Sequence, residues 1–323
     1  MINRTLVRTK VIQTLFAFYN NEGTTQLRAQ KELLKLFSYT YSLYFLLLDL
    51  VNEITHYANI RIEEAQEKAT AMHITYNANM RFVENRVAKQ IDEHREIRAY
   101  IQDQKLSWET ADTYIALFYK QITDAPFYKE YMEAEENDYE ADKALWCKIF
   151  KKILTGNSDL ESALEELEIN LDGKDWVTDM DVIISFVIKT IKRFKENADN
   201  EEDTDEAQPL LQMFDSEEEL DFGKRLLKTT IENSDYYDEL IAKSLTNWKS
   251  ERIAYMDNII LRTALGEIFA FPEISIQVTL NEYIELAREY STEQSPYFVN
   301  GVLDEIVKQL KQENKLLKAV IIK

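Results

Sequence analysis

An all-α fold is what this sequence predicts, and three observations carry the prediction. Only six Gly and four Pro punctuate 323 residues, whereas β-rich folds need turn residues at short intervals. Apolar residues make up 45 % of the chain and recur at the three- and four-residue spacings of amphipathic helices. Helix-capping signals bracket many of these stretches. The length exceeds that of a usual single domain, so two helical layers or subdomains are expected.

The first helix is predicted from about Arg4 to Tyr19. Val7, Val11, Leu15 and Phe18 form one stripe, with Ile12, Phe16 and Tyr19 beside it. Asn20, Asn21 and Gly23 supply the stop. Further helical segments are expected over 26–69, 79–104, 108–123, 138–154, 160–167 and 176–196, with Ser107 as an N-cap before Trp108 and Gly156 as a C-cap. The run 197–208, Asn-Ala-Asp-Asn-Glu-Glu-Asp-Thr-Asp-Glu-Ala-Gln, is too polar to order itself and reads as a linker or exposed loop before Pro209. Ser216 and Glu219 make a capping box that opens a helix through Leu226, Leu227 and Ile231, and 235–248 continues it or forms the next. A helix over 250–271 ends at Pro272. Thr279 and Glu282 read as a second capping box for a helix to Tyr290, and Ser295 with Pro296 as the N-cap and first-turn proline of a helix to about Leu310.

Charge and cysteine content narrow the function classes. The formal net charge of −20 argues against bulk affinity for nucleic acid, which depends on clustered cations. Exposed charges more than about 8 Å apart are screened at physiological salt, so an acidic body still permits one basic site. Arg4, Arg8 and Lys10 supply one, because no acid precedes Glu22. Cations at a helix N-terminus oppose its dipole, and a bound anion relieves that conflict. The single Cys147 excludes an internal disulfide framework and a thiolate metal cage, and a reducing compartment is expected. No basic-then-apolar leader opens the chain, and the apolar run from Leu43 to Val51 is broken by Asp49 and short of the roughly 20 residues a bilayer requires. A cytoplasmic protein without membrane attachment is the expectation.

Catalysis finds little support. His56, His73 and His94 lack partners at metal-ligand spacing, and neither a glycine-rich phosphate loop nor a nucleophile elbow is present. Acidic pairs such as Glu135 and Glu136 read as solvated helix faces. No enzyme, cofactor, metal or small-molecule substrate is expected. Binding chemistry is better served by Ser295 to Asp304. Val299, Val302, Leu303, Ile306 and Leu310 form its buried stripe, Tyr297 stands opposite and Phe298 falls at the edge. A first-turn aromatic lies beside free backbone N–H groups that bind phosphate, and its ring can stack a base. Alternatively, Phe298 packs under the preceding loop.

Two separated regions, Arg4 to Phe16 at the start and Phe222 to Asp304 near the end, with Arg4-Thr-Leu-Val-Arg8 in the first and Phe298-Val-Asn-Gly-Val-Leu-Asp304 in the second, resemble the NusB family of transcription antitermination proteins. Arg4-Thr-Leu-Val-Arg8-Thr-Lys-Val-Ile-Gln13-Thr-Leu-Phe16 is similar to the family's opening helix, and Phe222-Gly-Lys-Arg-Leu-Leu227 to its middle helix. Met256 to Glu267, Asn281 to Ala287 and Phe298 to Asp304 are similar to its closing helices. The resemblance implies a compact all-α domain that binds single-stranded boxA-type RNA of ribosomal RNA leaders jointly with the ribosomal protein NusE, in the antitermination complex of RNA polymerase. Carried over by position, Arg4, Arg8, Lys10, Gln13, Tyr297, Phe298 and Asn300 are expected at RNA, and Glu251, Met256, Asp257 and Arg262 on the partner side. The opening helix is poorer in arginine than is usual in the family. The organisation expected is an opening helix in 1–23, an inserted helical subdomain in 24–196, an acidic linker in 197–215, the remaining NusB-like helices in 216–310 and a tail in 311–323. A protein-only adaptor that kept the fold without RNA binding is the competing expectation.

Overall fold

The computed structural model describes residues 1–21, 23–135, 138–169, 176–196, 208–245 and 253–316. The acidic run 197–207 lies outside the described residues, as do Glu136 and Glu251. The described residues form fourteen α-helices and no strand. Contacts divide the chain into two compact units, 1–37 with 213–323, and 38–212.

The first unit is built from α1 (Arg4–Asn20), the first turns of α2 (Gln26–Ala71), α10 (Glu217–Glu232), α11 (Ser234–Ser244), α12 (Tyr255–Ala270), α13 (Ile276–Tyr290) and α14 (Ser295–Gln312). Asn3 caps α1 by accepting from the Leu6 N–H at 3.0 Å. Val7, Val11 and Leu15 are fully buried on the stripe the sequence predicts. The chain start is held where the Ile2 N–H donates to the Met213 carbonyl at 2.7 Å and the amino terminus meets Asp215 at 3.3 Å. Helix α1 packs on α10 and α12, and α12 packs on α13. Two glycines permit this closeness. A Cβ on Gly223 would stand 2.9 Å from Val7 Cγ1, and one on Gly266 would strike Thr230 Oγ1.

The capping box of Ser216 and Glu219 forms as read. The one read at Thr279 and Glu282 does not. Helix α13 begins earlier, capped by Ser275 Oγ, which accepts from the Val278 N–H at 3.3 Å. Thr279 is buried, with its hydroxyl committed to Glu267. Ser295 is likewise the first residue of α14 and not its cap, which is Gln294.

The second unit surrounds α2 beyond Phe37 with α3 (Arg86–Glu93), α4 (Arg95–Gln104), α5 (Asp112–Asp124), α6 (Pro126–Glu133), α7 (Tyr139–Ile149), α8 (Ser158–Ile169) and α9 (Met180–Arg193). Long and apolar enough by composition to cross a membrane, α2 has its apolar stretch from Leu43 to Leu48 buried to within 1 %, so protein packing accounts for it. Trp108 and Trp176 donate their indole N–H groups to the carbonyls of Leu46 and Tyr39 at 3.0 and 2.9 Å. The predicted segment 79–104 is split, because Asn85 caps α3 by accepting from the N–H groups of Val87 and Ala88, and His94 is extended between α3 and α4. Gly156 ends the preceding turn with φ +64°, as a left-handed terminator should.

Asp49 on α2 lies beside a recess of about 550 Å³ shared with Glu53 and Asp92. Burial, then the charge of Glu53, push its carboxyl up to about 6, against a hydrogen bond from Asn52. A folded-state value above the unfolded one penalises the fold fully above about pH 6 and progressively less as pH falls toward 3.8. Asp49→Asn should therefore stabilise the protein at pH 7.5 in urea unfolding, and its advantage should shrink by pH 5. Gly266→Ala should cost about 1–3 kcal/mol in the same assay through overpacking against Thr230.

Candidate nucleic-acid interface

Burial separates the basic residues of α1. Arg4 is half-buried with its guanidinium 5.3 Å from the centre of the Phe222 ring. Arg8, expected at an RNA surface, is only 3 % exposed. Its Nε and Nη2 donate to the two oxygens of Glu267 at 2.7 and 3.0 Å, and its Nη1 to Glu282 at 3.1 Å. Lys10, also expected to face RNA, is buried, with Nζ donating to Gln13 Oε1 at 3.0 Å. Neither side chain stands on an open surface. Arg8 is held between α12 and α13 by Glu267 and Glu282, whereas Lys10, about 200° further round the helix, is buried on another side of α1.

Glu267 is the acceptor that explains this. Fully buried on α12, it also receives hydrogen bonds from Thr279 Oγ1 at 2.9 Å and Tyr283 OH at 3.1 Å. Burial pulls the Arg8 guanidinium down, but the hydrogen bond and charge of Glu267 outweigh it and hold Arg8 above its ordinary value. The Tyr283 phenol is driven well above its usual range by burial and then by Glu267. Arg8 stays ionised across the physiological range, so the fork is a structural tie.

At the other end of α13, the first turn of α14 keeps an open aromatic. Tyr297 is 75 % exposed at the rim of a recess of about 550 Å³, lined also by Ile284, Arg288, Pro296 and Asn300. Phe298 and Asn300 are half-buried. The free backbone donors expected here are mostly used: the Ser295 N–H bonds Thr292 O at 2.9 Å, Pro296 has none, and the Phe298 N–H bonds Gln294 O at 3.1 Å. A phosphate at this turn would depend on side chains such as Arg288, which is presently paired with Glu285. A second exposed aromatic site joins residues far apart in sequence. Phe16 and Tyr255, 41 % and 47 % exposed, meet edge to face with ring centres 5.6 Å apart. The helical pattern places Phe16 on the flank of the core stripe, and its ring partner lies 239 residues away in sequence.

Two of the residues expected on the partner side, Asp257 and Arg262, are tied to their own chain. Asp257 is buried and accepts from Ser291 Oγ at 2.7 Å and Ser295 Oγ at 3.0 Å, fastening α12 to α14. Arg262 forks onto Asp238 at 2.7 and 2.5 Å and lies 4.7 Å above the Tyr19 ring. Met256 is half-buried. Among the described residues, no three His, Cys, Asp or Glu stand together as a metal site.

A cluster of helices that ties its first helix to α10, α12 and α13 and leaves aromatic rings open on its surface defines an all-α domain. The NusB family profile matches residues 184–308. The transcription antitermination protein NusB of Bacillus pumilus is 37 % identical over 109 residues, 34 % of this chain and 83 % of the relative. That of Bacillus subtilis is 40 % identical over 98 residues, covering 30 % and 75 %. The Nitratiruptor protein of the same name is 41 % identical over 91 residues, 28 % of this chain. The chain belongs to the NusB family. It spans a little under two thirds of the length of several of these relatives, 65 % for Nitratiruptor and 61 % for Salinibacter ruber. No solved structure matches it. Although the profile begins at residue 184, the structure packs α1 against α10 and α12 inside the matched portion.

Breaking the fork leaves a buried charge without its partner, which costs about 3–5 kcal/mol. Arg8→Ala should therefore lower the urea midpoint sharply. Arg4→Ala, at a half-buried position beside Phe222, should change it little.

Proposed function

We propose that this chain is a transcription antitermination protein that binds a short single-stranded RNA of the boxA type jointly with the ribosomal protein NusE, within the antitermination complex of RNA polymerase. The observation that carries the reading is Tyr297, an aromatic ring 75 % exposed beside a recess that also holds Arg288 and Asn300. An exposed ring next to a cation and an amide suits a stacked base with its phosphate and base edge alongside. Phe16 and Tyr255 offer a further platform of the same kind. The relatives' names support the assignment to antitermination. With Arg8 and Lys10 buried, fewer cations remain for phosphate, so affinity in this reading leans on stacking and on the partner protein. The same burial favours a second reading, a protein-only adaptor of the transcription or ribosome-assembly machinery.

Titrating the full chain with a boxA-like RNA, with and without NusE, separates the two. In the first reading log affinity falls with log salt by about 0.7 per phosphate contacted. Tyr297→Ala weakens binding by about 1–3 kcal/mol while the helical melting transition stays in place, because the ring is exposed. Absence of salt-dependent RNA binding in both conditions leaves the adaptor.

A further inference from the structure

Positive charge is concentrated at one end of the sequence. Residues 1–40 hold six Lys and Arg against two acids, whereas the other 283 hold 32 against 56. Arg8 and Lys10 are buried and Arg4 lies beside Phe222, so the open cations of this stretch fall on the first turns of α2. Arg28, Lys31 and Lys35 are all exposed. Among the described residues Arg28 and Lys31 have no ion pair, and Lys35 lies 3.6 Å from Glu32, the one acid of these turns.

The same turns expose leucine. Ala29, Leu33 and Phe37, four residues apart, bury the inner face, with Phe37 edge-on to Phe214 at 5.2 Å. The outer face at i, i+4 and i+7 reads Leu27, Lys31, Leu34, and the two leucines are 64 % and 42 % exposed. Arg28 and Lys35 run in a parallel row one residue on. Two leucines about 10 Å apart along the axis, with cations between and beside them, match a face that receives another helix. Apolar contact then supplies attraction, and the flanking charges select the sign of the partner.

We infer that this outer face of α2 docks an acidic amphipathic helix of a partner protein, a role separate from the RNA reading and independent of it. Charge complementarity chooses the occupant, since a basic helix would meet Arg28, Lys31 and Lys35 directly. Leucines favour a protein over a nucleic acid, because they offer no π-face to a base.

The test uses the full chain and two fluorescent synthetic helical peptides that carry leucines seven residues apart, one flanked by glutamates and one by lysines. By anisotropy the acidic peptide should bind at least about tenfold more tightly than the basic one. Leu27→Ser with Leu34→Ser should weaken it about tenfold or more with unchanged circular dichroism, as both side chains are exposed. Lys31→Glu with Lys35→Glu should reverse the preference between the peptides. Equal binding of both peptides, or indifference to the leucine variant, overturns the inference. So does mixed-sequence RNA binding lost only in the lysine variant, or a concentration-dependent dimer abolished by the leucine variant, which would assign the face to nucleic acid or to a second copy.

Discussion

A single buried carboxylate organises the NusB-like unit. Glu267 accepts from Arg8 twice, from Thr279 and from Tyr283, which is about the full acceptor capacity of an ionised carboxylate. A charge taken from water is tolerable only when paired and hydrogen-bonded. Glu267 therefore cannot stay buried unless α1, α12 and α13 are all in place, and 259 residues of sequence separate it from Arg8. The bidentate geometry fixes the rotation of α1 about its own axis. That rotation decides which of its side chains face inward.

The consequence reaches the exposed surface. With Arg8 and Lys10 turned inside, the opening helix presents little charge, and the open chemistry moves to aromatic rings: Tyr297 on α14, and Phe16 with Tyr255 where α1 meets α12. Asp257 reinforces the pattern, since its bonds to Ser291 and Ser295 set the position of the turn that carries Tyr297. Polar groups that look like ligands in isolation thus act as supports for the surface beside them.

Unit 38–212 follows a different logic. Its core is dominated by aromatic rings around α2, with indole and phenol groups satisfied by backbone and hydroxyl partners: Trp108 on Leu46, Trp176 on Tyr39, and Tyr44 on Thr190 at 2.7 Å. Large rings with a single polar atom fill space between irregularly spaced short helices when that atom finds a partner. The family profile leaves 38–183 of this unit unmatched, yet it has a complete core of its own.

Sequence alone determined the all-α class, the extent of α1, the capping box at Ser216 and the glycine terminator at 156, because each is governed by residues within a turn of one another. It also marked the α14 segment and its aromatic first turn. It misplaced the start of α13 at Thr279, whose cap-like spacing to Glu282 is local but whose hydroxyl is claimed by Glu267, twelve residues back. Only the tertiary structure decided that Arg8 and Lys10 lie inside, that Asp257 and Arg262 bind their own chain, and that Phe16 meets Tyr255. A helix's sequence shows which side chains share a face. Which face meets solvent depends on partners hundreds of residues away, whose desolvation and pairing outweigh any local preference.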